Sequence, residues 1–96
     1  MNIRVVIHGR VQGVGFRAWT EVTALDRRLQ GWVRNRRDGS VEALFVGSVE
    51  AVAAMIAACN DGPPGSRVDK VDQREGTPEE LALRRSDELF SMLPTA

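Results

Sequence analysis

Three glycines stand within seven residues, Gly9-Arg10-Val11-Gln12-Gly13-Val14-Gly15, and Arg17 follows two positions later. Glycine at this density allows backbone conformations and close ligand approaches that side chains forbid. Where such a loop feeds a helix, several N–H groups gather at the positive end of the helix dipole and form an anion site. Arg17 adds a planar, permanently charged fork that matches phosphate oxygens. A cation at a helix start opposes the dipole, and a bound anion reverses that penalty. The plain alternative is a strand-to-helix connection whose glycines only permit the turn, with Arg17 in solvent.

Other chemistries fit less well. Gly13-Val14-Gly15-Phe16-Arg17-Ala18 matches G-x-G-x-x-A, and Asp38 lies at about the distance of a ribose-binding acid. Asp38, however, falls in a hairpin turn, and the chain is too short for two mononucleotide-binding halves. A Walker loop is excluded because no Gly-Lys-Ser/Thr follows. Cys59 would need an arginine six positions on to form a phosphatase loop, and Arg67 is eight on; its apolar neighbours make it a core thiol. His8-Gly9 has Ile7 where a histidine phosphatase carries arginine, so His8 is read as a half-exposed strand residue. Arg34, Arg36 and Arg37 lack the interleaved aromatics of a nucleic-acid surface and are read as the solvated end of a hairpin that adds positive field. Trp19 and Trp32 are assigned to packing.

The elements that must position these residues follow from periodicity. Ile3, Val5 and Ile7 alternate as a strand does. After the glycine loop, Ala18, Val22, Leu25 and Leu29 recur at helical spacing with Trp19 beside them, and Gly31 is placed to end that helix. Asp38-Gly39 between Trp32–Arg37 and Ser40–Val46 predicts a two-residue hairpin turn. Ser48 caps a second helix with Glu50 in its first turn and Val49, Val52, Ile56 and Cys59 on one face. Asn60-Asp61-Gly62-Pro63-Pro64-Gly65 ends it. Residues 67–74 form a fourth strand, although Val68 and Val71 are three apart and break alternation. Thr77-Pro78-Glu79-Glu80 opens a short helix, and residues 89–93 form an edge strand ended by Pro94. The order β-α-β-β-α-β predicts an α+β, ferredoxin-like split βαβ sandwich: an antiparallel five-stranded sheet with two helices on one face.

Bulk properties agree. Ninety-six residues make one domain, 1–96; 43% are hydrophobic and 27% charged, as in a soluble globular protein. Thirteen basic residues balance thirteen acidic ones, which argues against general binding to nucleic acid or anionic membrane. One cysteine permits no internal disulfide. The start of the chain lacks the layout of a signal peptide and no apolar run could span a bilayer, so a cytoplasmic location is expected.

The segments Gly9-Arg10-Val11-Gln12-Gly13-Val14-Gly15-Phe16-Arg17 and Gly31-Trp32-Val33-Arg34-Asn35-Arg36-Arg37-Asp38-Gly39-Ser40-Val41-Glu42 together resemble the two signature segments of the acylphosphatases, in order and at the right separation. The likeness runs from the first strand into the fourth. It implies hydrolysis of acyl phosphates to a carboxylate and inorganic phosphate without metal or cofactor. It implies that the backbone of Gln12, Gly13, Val14, Gly15, Phe16 and Arg17, with the Arg17 side chain, binds phosphate, and that Asn35 positions the attacking water. Asparagine is disfavoured inside strands, and Asn35 lies three residues before Asp38, so the turn does not need it. The implied partner is a small acyl phosphate, with no nucleic acid or membrane, bound by a monomer. A non-catalytic module that binds a phosphate ligand on the same fold is the alternative. The aromatic or basic carboxy-terminal residues that brace the phosphate loop in some members are absent from Met92-Leu93-Pro94-Thr95-Ala96.

Overall fold

The alternation at the start of the chain becomes β1 (Asn2–Arg10), an interior strand with Val5 and Ile7 buried on one face and Val6 on the other. The computed structural model describes Met1–Ala96. After β1 come α1 (Phe16–Asp26), β2 (Gln30–Asn35), β3 (Val41–Val46), α2 (Val49–Asp61), β4 (Arg67–Glu75), the short α3 (Pro78–Leu81) and β5 (Phe90–Met92). The strands form one sheet in the order β4-β1-β3-β2-β5. The ferredoxin-like class holds, with one correction: the sheet is mixed. β5 runs parallel to β2, with Gly31 opposite Phe90 and Val33 opposite Met92. The reason is topological. β4 ends beside Ile3, at the edge of the sheet where β2 begins, since both Asn2 and Gln30 face Val46. The chain crosses at that end, so the next strand starts where β2 starts and runs with it.

The main core lies between the sheet and the two long helices, with Val5, Ile7, Val33, Val41, Ala43, Phe45 and Phe90 from the strands. The crossing segment 76–89 lies over the opposite face. There the Trp32 indole donates to the Glu80 carbonyl at 2.7 Å, Gly76 packs on Leu44, and both Trp32 and Leu44 are fully buried. Glu42 is also buried on this face, accepting from Arg4 Nε at 2.6 Å and Arg34 Nε at 2.7 Å. The Arg34 guanidinium sits 4.7 Å from the Trp32 ring centre. Arg34 is therefore half-buried and paired rather than solvated at the hairpin end.

The structure corrects several local expectations. On α1 the buried face is Phe16, Thr20 and Ala24, while Ala18, Val22 and Leu25 face solvent. Phe16 is buried, with Trp19 edge-on at 5.3 Å and packed against the core, so an aromatic pair occupies the sheet side of the helix start. Thr20 is accommodated because its hydroxyl donates to the Phe16 carbonyl at 2.8 Å. α1 ends at Asp26, and Arg28, not Gly31, takes the left-handed position after it (φ 58°). Gly31 instead lies inside β2 at φ 140°, where a Cβ would stand 1.8 Å from the Leu44 carbonyl oxygen. On α2, Met55 joins Val52 and Cys59 in the core and Val49 is exposed. The hairpin closes through Arg36 N–H to Ser40 O at 2.9 Å, leaving a three-residue loop, Arg37-Asp38-Gly39, with Gly39 at φ 93°. In β4 a bulge between His8 and Gly9 of β1 opposes Lys70 and then Val68, so Val68 and Val71 both reach the core.

Candidate active site

The loop from Val11 to Gly15 joins the end of β1 to α1. Val11 is buried and anchors its base. Gly13 (φ 75°) and Gly15 (φ 78°) hold left-handed conformations, and a Cβ on either would meet nothing within 4 Å. These glycines are required by backbone angle, and the space beside them stays open. Gly15 is the N-cap of α1; no side chain caps the helix and its first turn carries no acid. The N–H groups of an uncapped first turn lack intrahelical partners.

Gln12 fastens this loop to the β2–β3 hairpin. Its side-chain amide donates to the carbonyls of Arg36 and Ser40, each at 2.8 Å. The result is a hollow of about 150 Å³ lined by Val11, Gln12, Gly13, Gly15, Phe16, Arg17, Ala18, Asn35 and Met92. Arg17 and Asn35, eighteen positions apart in sequence, thus share one cavity. Arg17 forms no ion pair and Asn35's carboxamide makes no hydrogen bond within the protein, so both side chains are free to engage a ligand. Val14 is half-buried against the core and does not line the hollow. Arg34, Arg36 and Arg37 do not line it either.

Asn35 is held at the end of β2 by its pairing with Val41 and by the carboxy-terminal segment. Leu93 N–H donates to Val33 O at 2.9 Å, Ala96 N–H to Asn35 O at 3.0 Å, and Arg37 N–H to Ala96 O at 3.0 Å. Backbone groups supply here a brace that the side chains of Leu93, Pro94, Thr95 and Ala96 do not offer. At the hairpin tip the Asp38 carboxylate accepts from the Ser40 hydroxyl and N–H, which lowers its pKa below the ordinary 3.8. Cys59 lies away from the hollow; burial pushes its thiol up to about 12, which keeps it protonated and inert. His8 is half-exposed, 3.2 Å from Asp72.

Sequence reasoning missed Met92. Its pairing with Val33 puts it on the Asn35 side of the sheet, but a three-residue parallel edge strand carries no local signal that reveals its partner.

A family model described as acylphosphatase matches residues 3–85. An acylphosphatase from Bradyrhizobium diazoefficiens is 59% identical over 93 residues, covering 97% of this chain and 94% of that protein. One from Rhodopseudomonas palustris (strain BisB18) is 58% identical over 92 residues, covering 96% and 93%. The crystal structure of acylphosphatase from Bacillus subtilis superposes with a TM-score of 0.83 at 36% identity, over 96% of this chain and 97% of that one. The chain belongs to the acylphosphatase family.

Proposed function

We propose that the protein's acylphosphatase activity, cleavage of the bond between a carboxyl group and a phosphate, runs through the hollow between the glycine loop and the hairpin. The backbone of Gln12, Gly13, Gly15, Phe16 and Arg17 and the Arg17 guanidinium hold the phosphoryl oxygens, and the Asn35 carboxamide aims a water at phosphorus. The observation that carries this reading is that Arg17 and Asn35, neither engaged by another protein group, line one cavity at an uncapped helix start.

The chemistry suits these residues. A carboxylate is a good leaving group, so the reaction demands positioning and charge stabilisation more than a strong base. Donors fixed before the reaction stabilise charge as it redistributes over the phosphoryl oxygens. An amide cannot take a proton at neutral pH, but it can orient water. Water's oxygen bonds to phosphorus, and the bond to the acyl oxygen breaks with its electron pair leaving on the carboxylate. No Asp, Glu or His lines the hollow, which supports transfer of the water's proton to a phosphoryl oxygen of the substrate itself. The protein acts in this reading as a single-domain monomer in the cytoplasm on a small acyl phosphate, without nucleic acid. No helix is long and apolar enough to cross a membrane.

The test is turnover of benzoyl phosphate in excess chelator. The wild type hydrolyses it, and Arg17→Ala and Asn35→Ala each lower turnover about 10²- to 10³-fold while retaining the wild-type circular dichroism spectrum. Tight phosphate binding with full turnover in either variant would remove that residue from the mechanism; tight binding without turnover in the wild type would favour a binding module.

A further inference from the structure

The residues lining the hollow divide by what they can do. Gln12, Gly13, Gly15 and Arg17 belong to the phosphate cradle, and Asn35 to water. Val11 and Phe16 are core residues, each 1% exposed. Ala18 and Met92 remain. Ala18 offers only a methyl group, on the first turn of α1. Met92 arrives from β5, opposite Val33 in register, and so lies on the side of the sheet where Asn35 follows two residues later. Its main chain is fixed, because Arg85 Nη1 donates to the Met92 carbonyl at 2.9 Å and the next N–H, from Leu93, donates to Val33 at 2.9 Å. The side chain is half-buried: it packs against the core and also reaches the hollow.

Size and chemistry then constrain the substrate. A cavity of about 150 Å³ is the size that accommodates a single benzene. A phosphoryl group and its attacking water occupy most of such a space, so the acyl portion lies across the rim. There the two residues left to meet it carry no charge and no hydrogen-bond donor. The thioether of methionine is polarisable, adapts its shape and makes favourable contacts with aromatic rings.

We propose that Met92 is the acyl-side specificity residue, a soft apolar surface that favours substrates whose acyl group is apolar or aromatic over the smallest acyl groups. This rests on the assignment of the phosphoryl group to the glycine loop, and the two are tested separately. Arg17→Ala tests the loop through loss of inhibition by inorganic phosphate. For Met92, kcat/KM is measured on benzoyl phosphate and on acetyl phosphate for the wild type, Met92→Ala, Met92→Gln and Met92→Leu. The ratio of benzoyl to acetyl turnover falls about two- to tenfold in the Ala and Gln variants, the worth of roughly one buried CH₂ of apolar contact. It stays within about twofold in the Leu variant, where volume and apolar character are kept. Inhibition by inorganic phosphate is unchanged in all three. An unchanged ratio in the Ala and Gln variants, or an equal fall on both substrates, overturns the proposal and leaves Met92 a packing residue.

Discussion

α1 and α2 pack on the same face of the sheet but begin in opposite ways. α2 starts with Ser48, whose hydroxyl accepts from the Ala51 N–H at 3.1 Å, and places Glu50 in its first turn. α3 is finished as thoroughly: Thr77 accepts from Glu80 N–H, and the Glu80 carboxylate accepts from Thr77 N–H. α1 has Gly15 at its cap, no acid in its first turn, and a cation, Arg17, where the dipole disfavours one. A sequence that caps its other helices and leaves one uncapped marks the position at which something other than the protein completes the helix. The difference supports the proposed placing of the phosphoryl group at the start of α1.

Breaking the uncapped end has the largest effect. Arg17→Ala lowers kcat/KM for an acyl phosphate by about 10²- to 10³-fold, the loss typical of removing one donor to developing charge, and Arg17→Lys recovers only part because the fork is lost. Steady-state kinetics with both variants checks this. Making α1 resemble α2 comes next. Ala18→Glu puts an acid into the bare first turn, which weakens inhibition by inorganic phosphate on the order of tenfold. Melting temperature holds or rises, so a drop in stability with no change in inhibition would break the comparison. Making α2 resemble α1 does the converse: Ser48→Ala costs about 1 kcal/mol, a melting shift of roughly 4–8 °C in a domain this size, with turnover unchanged.

The α3 cap sharpens the comparison through pH. Pairing with Arg74, which outweighs the opposing desolvation, and then the Thr77 N–H hold the Glu80 carboxyl below its ordinary 4.5. A depressed carboxylate contributes stability that is present above its unfolded pKa and is lost as pH falls through the folded one. Glu80→Gln therefore lowers the melting temperature at neutral pH and flattens the loss of stability below about pH 4.5. Parallel acid-limb melts that stay equally steep in both proteins would dissociate Glu80 from that loss.

Much of this was legible in the residues. Ser48 and Thr77 announce caps by their type and spacing, and the glycines around Gln12 with Arg17 point to the loop that lines the hollow. Legibility ended where long-range packing overrode local pattern. Ala18, Val22 and Leu25 have helical spacing, but the face that packs on the sheet carries Phe16, Thr20 and Ala24. Gly31 read as a helix stop because glycine serves two purposes, and the Leu44 carbonyl that requires it lies on another strand. Val68 and Val71 broke alternation because of a bulge that only the register with β1 defines. Met92 reached the site through a parallel pairing set by where the chain crosses the sheet.

Gln12 spans the gap between loop and hairpin by holding main-chain carbonyls at Arg36 and Ser40, not their side chains. The spacing of the site therefore depends on the backbone at the two anchoring positions, and a side-chain change at Arg36 that leaves the hairpin backbone in place keeps the cleft's width. Arg36→Ala, which removes only a loose 3.8 Å approach to Asp38, leaves turnover within about twofold of wild type in the same kinetic assay.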